Sequence, residues 1–577
     1  MKKLLSLLLC LTMILAAVPM ALAEGYTPGV YTATVKGNNG DLTVETEFSA
    51  AEILSVKVVS HSETAGLSDV PIAQIPAAIV EKQSLAVDTC SGATVTSKAI
   101  LKAVAECVEQ AGGNAEDLQS PAGKMEQLEA VDTDVVVVGA GLAGLSAALS
   151  AAQNGAKVVL VEKQAVTGGS GLLTGAGIYA AETDKVPAEV ETKEEMYQHI
   201  LDMINDGGST DNVELDRIHH LAYQSSETIA WLEGMGMEFE VGSIGIYEAK
   251  PHYHWLADGT QGAGQVNIME NACREAGVEI LLETKCVALN QENNAMTGIT
   301  VEQSNKRFDI NAKSIIIACG GYANNKDMMV RLMPKSSYSI SISNAGATGE
   351  VLDMAHKLGA AWYEHQFHLT CGLLTDASTG VSAAPGIIVN TTGKRMMNEA
   401  KMWQLNSEAI RYASEGPIYG IYDRAYDAQY NGALALAAEA NNPYIEKADT
   451  LEELAKRCGI DPETFVATVN SYNSVKGTDQ ADPEFGVPND RMIFATEAPF
   501  YAVILLPLNA GTMGGIKSQI TGEVLDYNGD VMTGLYACGE ASNGGLYDRG
   551  YISGTSVLNC YTAGRDAGAS AAAFAAK

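Results

Sequence analysis

Four stretches of this chain combine residue types that could do chemistry. In Gly139-Ala-Gly141-Leu-Ala-Gly144, three glycines at GxGxxG spacing permit a tight turn and the close approach of a pyrophosphate. Glu162 follows at the distance where an acidic side chain reaches a ribose hydroxyl. A second glycine-rich loop, Thr167-Gly168-Gly169-Ser170-Gly171 and then Thr174-Gly175-Ala176-Gly177, adds backbone donors for a long ligand. Near the C-terminus, Gly534-Leu-Tyr-Ala-Cys-Gly539-Glu540 is a strand and turn closed by another carboxylate. The last stretch is Asp88-Thr-Cys-Ser91-Gly92-Ala93-Thr94-Val-Thr96-Ser97. Its hydroxyls fit a helix N-cap. They also fit a site where a hydroxyl beside Gly92 and Ala93 carries a phosphate-linked group at a helix N-terminus. The residues alone leave both readings open.

These groups need elements to hold them. Residues 134–138 form an apolar run that reads as a buried parallel strand, 142–154 as a helix ended by Gly155, and 157–161 as a second strand. Strand before, helix after and Glu162 beyond make the glycine fingerprint specific for a dinucleotide. NAD fits it as well as FAD. The second glycine loop and the Gly539-Glu540 turn decide for FAD, and Ser314-Ile-Ile-Ile-Ala-Cys-Gly320-Gly321 supplies a further strand ending in glycines. Upstream, alternation predicts strands over 29–35, 42–48 and 53–59, with a Gly37–Gly40 turn between the first two. Helical patterns follow over 71–81 and 97–110. Residues 114–131 read as a linker. His252 and His254 share a face if 250–255 is a strand, but no third ligand accompanies them, so no metal site is expected.

At 577 residues the chain is too long for one hydrophobic core. Acidic residues outnumber basic ones 70 to 37, a balance that repels nucleic acid and anionic lipid. The ten cysteines are scattered without CxxC, which argues against haem c, an iron–sulfur cluster or zinc. Lys2 and Lys3, an apolar run to Val18 and Ala21-Leu22-Ala23 read as a signal peptide over 1–23. That segment implies export, to the cell surface, the periplasm or the medium, and since no later stretch is apolar enough to span a bilayer the mature protein is expected to be soluble.

Residues 24–113 resemble the FMN-binding domain of electron-transport subunits, whose attachment pattern is matched by Asp88, Ser91, Gly92, Ala93 and Thr94. His61-Ser-Glu-Thr-Ala-Gly66 matches that domain's lead-in. The resemblance implies FMN joined covalently, by a phosphoester on Thr94, through a dedicated flavin transferase. From about 132 onward the chain resembles the fumarate reductase and succinate dehydrogenase flavoproteins, in the exported branch with flavocytochrome c, urocanate reductase and ketosteroid dehydrogenases. That implies an α/β, Rossmann-like FAD-binding domain over 132–371 and 495–577, with an α+β capping domain at 372–494 and the small α+β FMN-binding domain before it. It further implies noncovalent FAD held at Ala143, Glu162, Ser170, Gly171, Ala176, Gly177, Val287, Glu350, Glu540, Ser556 and Val557.

The resemblance breaks where a dicarboxylate would be gripped. The proton-donating arginine falls on Trp403, the clamping arginine on Tyr551, one histidine on Gly511 and another near Cys371, with His365 and His368 close by. A dicarboxylate needs charge-assisted contacts to shed its water. Fumarate is therefore discounted, and a neutral enone or acrylate-type acceptor is expected, with Tyr551, Trp403 and His254 as catalytic candidates. Asp548 and Arg549 read as a surface pair. Two flavins in one chain imply a reductase fed by a membrane or extracytoplasmic electron donor. The alternatives are a dehydrogenase running in reverse or a non-enzymatic carrier.

Overall fold

The alternation over 29–60 produces three antiparallel strands, Gly29–Lys36, Asp41–Phe48 and Ile53–Ser60, paired in that order. Leu42, Val44 and Phe48 are buried on one face, and the Gly37 N–H donates to the Gly40 carbonyl at 2.7 Å to close the first hairpin. Helices Asp69–Lys82 and Thr94–Gln110 cover that face, and Ile75, Ile79, Ile100, Val104 and Val108 complete the core. Both begin earlier than the periodicity predicts. At the second, Ser97 is no entry residue: it is fully buried, and its hydroxyl accepts from the Cys90 N–H at 3.1 Å.

This is a computed structural model. It describes residues 25–577 apart from 64–67, 88, 91–93, 116–117, 119–124, 207–209, 244–249, 335–338, 364–366, 375–385, 401–415, 430 and 549. The expected signal peptide over 1–23 lies outside the described residues. The chain divides into two units, residues 1–127 with 304–306, and residues 128–303 with 307–577.

The second unit is built on a parallel sheet in the order Glu279–Leu281, Val158–Val161, Val135–Val138, Ser314–Ile317, Val531–Ala537. The three central runs, VVLV, VVVV and SIII, are buried on both faces, which is why they are apolar without alternation. Helices Leu142–Gln153 and Thr555–Ala575 pack together along one face. Their approach is close because Gly564 and Gly568 lack side chains: a Cβ there would lie 2.6 Å from the Ala143 carbonyl oxygen and 2.3 Å from that of Ala147.

The stretch read as a linker is not one throughout. The Leu128 N–H bonds the Arg307 carbonyl at 2.9 Å, and Val131–Asp132 pairs in parallel with Ile310 and Asn311. Leu128 and Val131 pack on the core there, so the end of the segment is a sheet edge.

A second sheet contains Ile387–Val389, Ile418–Asp423, Ile445–Ala448 and the long strand Phe500–Met513. Helices Leu451–Arg457 and Pro462–Asn473 cover it over a core of its own, including Ile387, Ile421, Phe465 and Val469. Buried Arg395 joins Glu399 at 2.5 Å and Asp482 at 2.6 Å and lies over the Tyr472 ring. Beyond the expected cap boundary at 494, Phe500–Leu505 pairs across this sheet with Ile418–Asp423, and the same strand runs on to Gly511 and Thr512 at the cavity described below. Among the described residues no helix is long and apolar enough to cross a membrane.

Candidate functional site

The C-terminal ends of the adjacent parallel strands Val135–Val138 and Val158–Val161 open onto a cavity of about 650 Å3. This is the end of an open α/β sheet where ligands bind. Gly139 turns the chain at φ +104°, and a Cβ on it would lie 2.5 Å from the Ala318 carbonyl oxygen. Gly141 is then the N-cap of Leu142–Gln153, with no side chain capping that end. Gly141, Gly169 and Gly175 all line the cavity, and a Cβ on Gly175 would meet nothing within 4 Å. An open glycine floor beside an uncapped helix N-terminus fits a pyrophosphate.

Three carboxylates line the same cavity. Glu162 is buried and accepts the Ala140 and Gln164 N–H groups, both at 2.9 Å. Glu350 opens the helix Glu350–Lys357 and accepts from Lys163 Nζ at 3.0 Å and from the Thr348 hydroxyl at 2.5 Å. Burial pushes its carboxyl up, but these donors outweigh it and hold the group down at about 2. Glu540 accepts from Thr512 N–H at 2.6 Å and from its hydroxyl at 3.0 Å, while burial pushes its carboxyl above the usual range. Carboxylates spread along a glycine-floored cavity suit a ligand with a pyrophosphate and many sugar hydroxyls, as in FAD.

Ala143, Ser170, Gly171, Ala176, Gly177, Ser556 and Val557 also line the cavity. Val287 does not. It sits at a register shift between Cys286 and Ala288, and Thr284, Lys285 and Cys286 form the wall instead. Tyr551 and Gly511 are on the wall, and a Cβ on Gly511 would lie 3.0 Å from Glu540 Oε1. Trp403 and His365 lie outside the described residues, and of His368 and Cys371 only the backbone of Phe367–Leu374 is described.

His254 is not at this site. It does share a face with His252, but the strand Tyr253–Leu256 turns Tyr253 and Trp255 to the cavity and the histidines away from it. His254 is fully buried, its Nε2 pairs with the Thr183 hydroxyl at 2.8 Å, and burial pushes its pKa down to about 4. His252 pairs with buried Glu191 at 2.6 Å. Asp548, read as half of a surface pair, is buried and accepts from Asn212 Nδ2 at 2.9 Å; Arg549 lies outside the described residues. Lys163, Tyr253, Trp255, Thr512 and three cysteines line the cavity unanticipated by sequence. Burial pushes the thiols of Cys286, Cys319 and Cys560 up to about 12, so they stay protonated. Among the described residues no group of three or more His, Cys, Asp or Glu side chains could hold a metal ion.

In the first unit, Thr94 is the first residue of its helix; Asp88 and residues 91–93 lie outside the described residues. The two motif segments meet nonetheless. The hydroxyl of Thr96, buried in the helix's first turn, donates to Glu63 of the lead-in, and Glu63 also accepts the Asn39 N–H at 3.0 Å.

Comparison with known proteins agrees with this division. Residues 134–557 match the FAD binding domain family and residues 37–109 the FMN-binding domain family. The chain is 29% identical to NADH:acrylate oxidoreductase of Vibrio harveyi over 95% of its own length, but spans only 61% of that protein. It is 29% identical to urocanate reductase of Eggerthella lenta, covering 96% of this chain and 94% of that one. Among solved structures, an open flavocytochrome c3 fumarate reductase superposes with a TM-score of 0.58 at 28% identity, covering 78% of this chain and 79% of the other. The chain belongs to the fumarate reductase-type FAD flavoproteins, FAD-dependent oxidoreductases, here joined to an FMN-binding domain. Its cofactors are FAD and FMN, and FMN-binding domains of this kind carry their flavin covalently on threonine.

Proposed function

We propose that this chain reduces the activated C=C bond of a small, conjugated acceptor of low charge, an enone or acrylate type rather than fumarate. The carrying observation is the wall around Gly511. Where the family places a cationic or protonatable clamp, the cavity presents Gly511 and Tyr551, and the side chain nearest Gly511 is the acidic Glu540, not a cation. A dianion there would lose hydration and face another acid, a loss of several kcal/mol without a paired cation. Relatives named for acrylate and urocanate reduction support the reaction class.

Bound flavins would supply the redox chemistry, FAD in the cavity lined by Glu162, Ser170 and Gly171 and FMN on Thr94. The chain's own residues position and polarise. Tyr551 would donate its hydroxyl to the acceptor's carbonyl oxygen and stabilise the charge that develops there. Tyr253 and Trp255 add aromatic side chains to the wall of the same cavity. Thr94 is the proposed point of FMN attachment, resting on the match of Asp88 to Thr94 and on its place at a helix start. Export is proposed from the basic and apolar N-terminal segment.

The test is reoxidation of the dithionite-reduced, fully flavinylated protein by neutral enones, acrylates, aryl acrylates and fumarate. Neutral and monoanionic acceptors are expected to reoxidise it, and fumarate is not. Tyr551→Phe is expected to lower kcat on the best acceptor by about ten- to a thousandfold. Fast fumarate turnover overturns the reading, as does a Tyr551→Phe enzyme as active as wild type.

A further inference from the structure

The segment that takes the flavin is crowded with hydroxyls. Ser91, Thr94, Thr96 and Ser97 all fall within seven residues, and the proposed attachment uses one of them. Two of the four are already engaged. Thr96 is buried and donates to Glu63. Ser97 is fully buried and accepts from the Cys90 N–H at 3.1 Å.

Glu63 does more than hold Thr96. Its carboxylate accepts the Asn39 N–H at 3.0 Å, and a Cβ on Gly37 would lie 2.5 Å from its Oε1. Its own N–H donates to His61 Nδ1 at 3.3 Å. One buried carboxylate therefore joins the Gly37–Gly40 hairpin turn, the lead-in at 61–63 and the first turn of Thr94–Gln110. A carboxylate without such donors would not stay ionised in a buried place. Here hydrogen bonds from Thr96 and the hairpin offset burial and keep it below the usual carboxylate range. A pre-set frame matters for group transfer, because a misplacement of about 1 Å in the attacking atom can lower the rate about a hundredfold.

We propose that Glu63 is the positioning residue for flavin attachment: by holding Thr96 it fixes the first turn of the helix that Thr94 opens. The proposal rests on the reading of Thr94 as acceptor. In the transfer the Thr94 oxygen forms a bond to the flavin-side phosphorus of a flavin adenine dinucleotide donor. The pyrophosphate P–O bond breaks, AMP leaves, the hydroxyl proton passes to the transferase or to solvent, and nothing is oxidised or reduced. Glu63 acts through Thr96 and takes no part in these bonds.

The experiment measures FMN incorporation into the full-length chain by a purified flavin transferase with FAD as donor, following intact mass against time. Thr96→Val keeps shape and loses the donor. Glu63→Ala loses the acceptor. Each is expected to lower kcat for incorporation about ten- to a hundredfold while KM for the chain stays within about threefold, because the frame and not the docking surface has changed. The double variant should be no slower than the slower single one, since both remove one interaction. Thr96→Ser and Glu63→Gln, which preserve a donor and an acceptor, should restore most of the rate. Noncovalent FAD content should be unchanged throughout. Wild-type rates in Thr96→Val, additive losses in the double variant, or a Glu63→Gln chain as slow as Glu63→Ala would overturn the proposal. Undiminished labelling of Thr94→Ala would instead remove the acceptor assignment, a failure recognisable separately because it appears with Glu63 intact.

Discussion

Glu162 accepts from Ala140 in the dinucleotide turn and from Gln164 in the loop that follows, so its carboxylate ties the two together. Glu162→Ala strips both donors of their acceptor, and the buried Ala140 N–H left unpaired amounts to about 1–3 kcal/mol. FAD retained after dialysis should fall while covalent FMN is unchanged, as read from flavin released by denaturation; full FAD occupancy in the variant would count against this role. Glu350 shows a pH signature. Its folded pKa of about 2 lies below the usual carboxylate value, so the stability it contributes is fully present above that ordinary value and is lost as pH falls through about 2. Partial exposure reduces the size of the effect. Glu350→Gln should therefore lower Tm near neutral pH and converge with wild type toward pH 2, whereas parallel curves would exclude the linkage. Glu162 is legible in the sequence because its distance from the glycines is local. The Lys163–Glu350 pair is not, since the fold alone joins residues 187 apart. His254 shows the same limit: period-two alternation gives the pairing with His252, but not which face meets the cavity.

Helix Thr555–Ala575 carries Ser556 and Val557 to the cavity from its first turn, while Gly564 and Gly568 fix its depth against Leu142–Gln153. Gly568→Val places a branched side chain where even a Cβ would lie 2.3 Å from the Ala147 carbonyl oxygen. Overpacking of this kind costs about 1–3 kcal/mol. It should also tilt the helix at the flavin end, so Tm and FAD content are expected to fall together in thermal melts and flavin release; a variant that loses Tm but keeps FAD would separate packing from site placement. Elements built on local periodicity were legible, as in the strand–helix–strand run over 134–161. The long strand Phe500–Met513 was not. Its pairing partners lie at 367–374, 418–423 and 445–448, so the cap boundary depends on contacts that no local pattern encodes.

Charge acts on the whole molecule. With a formal net charge of -33, the chain sets up a negative potential that opposes the approach of any anion, on top of the lack of a cation in the cavity wall at Gly511 and Tyr551. These two contributions differ in range. The long-range field is screened by salt, with a Debye length of about 10 Å at 0.1 M, whereas a contact inside the cavity is screened little. For a neutral enone, kcat/KM should therefore change little between low and high ionic strength. For a monoanionic acrylate it should rise as salt weakens the repulsion. For fumarate it should stay negligible at every salt concentration, because screening the outer field does nothing to supply a cation at Gly511 or Tyr551. Steady-state rates measured across ionic strength for these three acceptors check the argument. Fumarate activity that salt restores would place the discrimination in the outer field and not in the cavity wall.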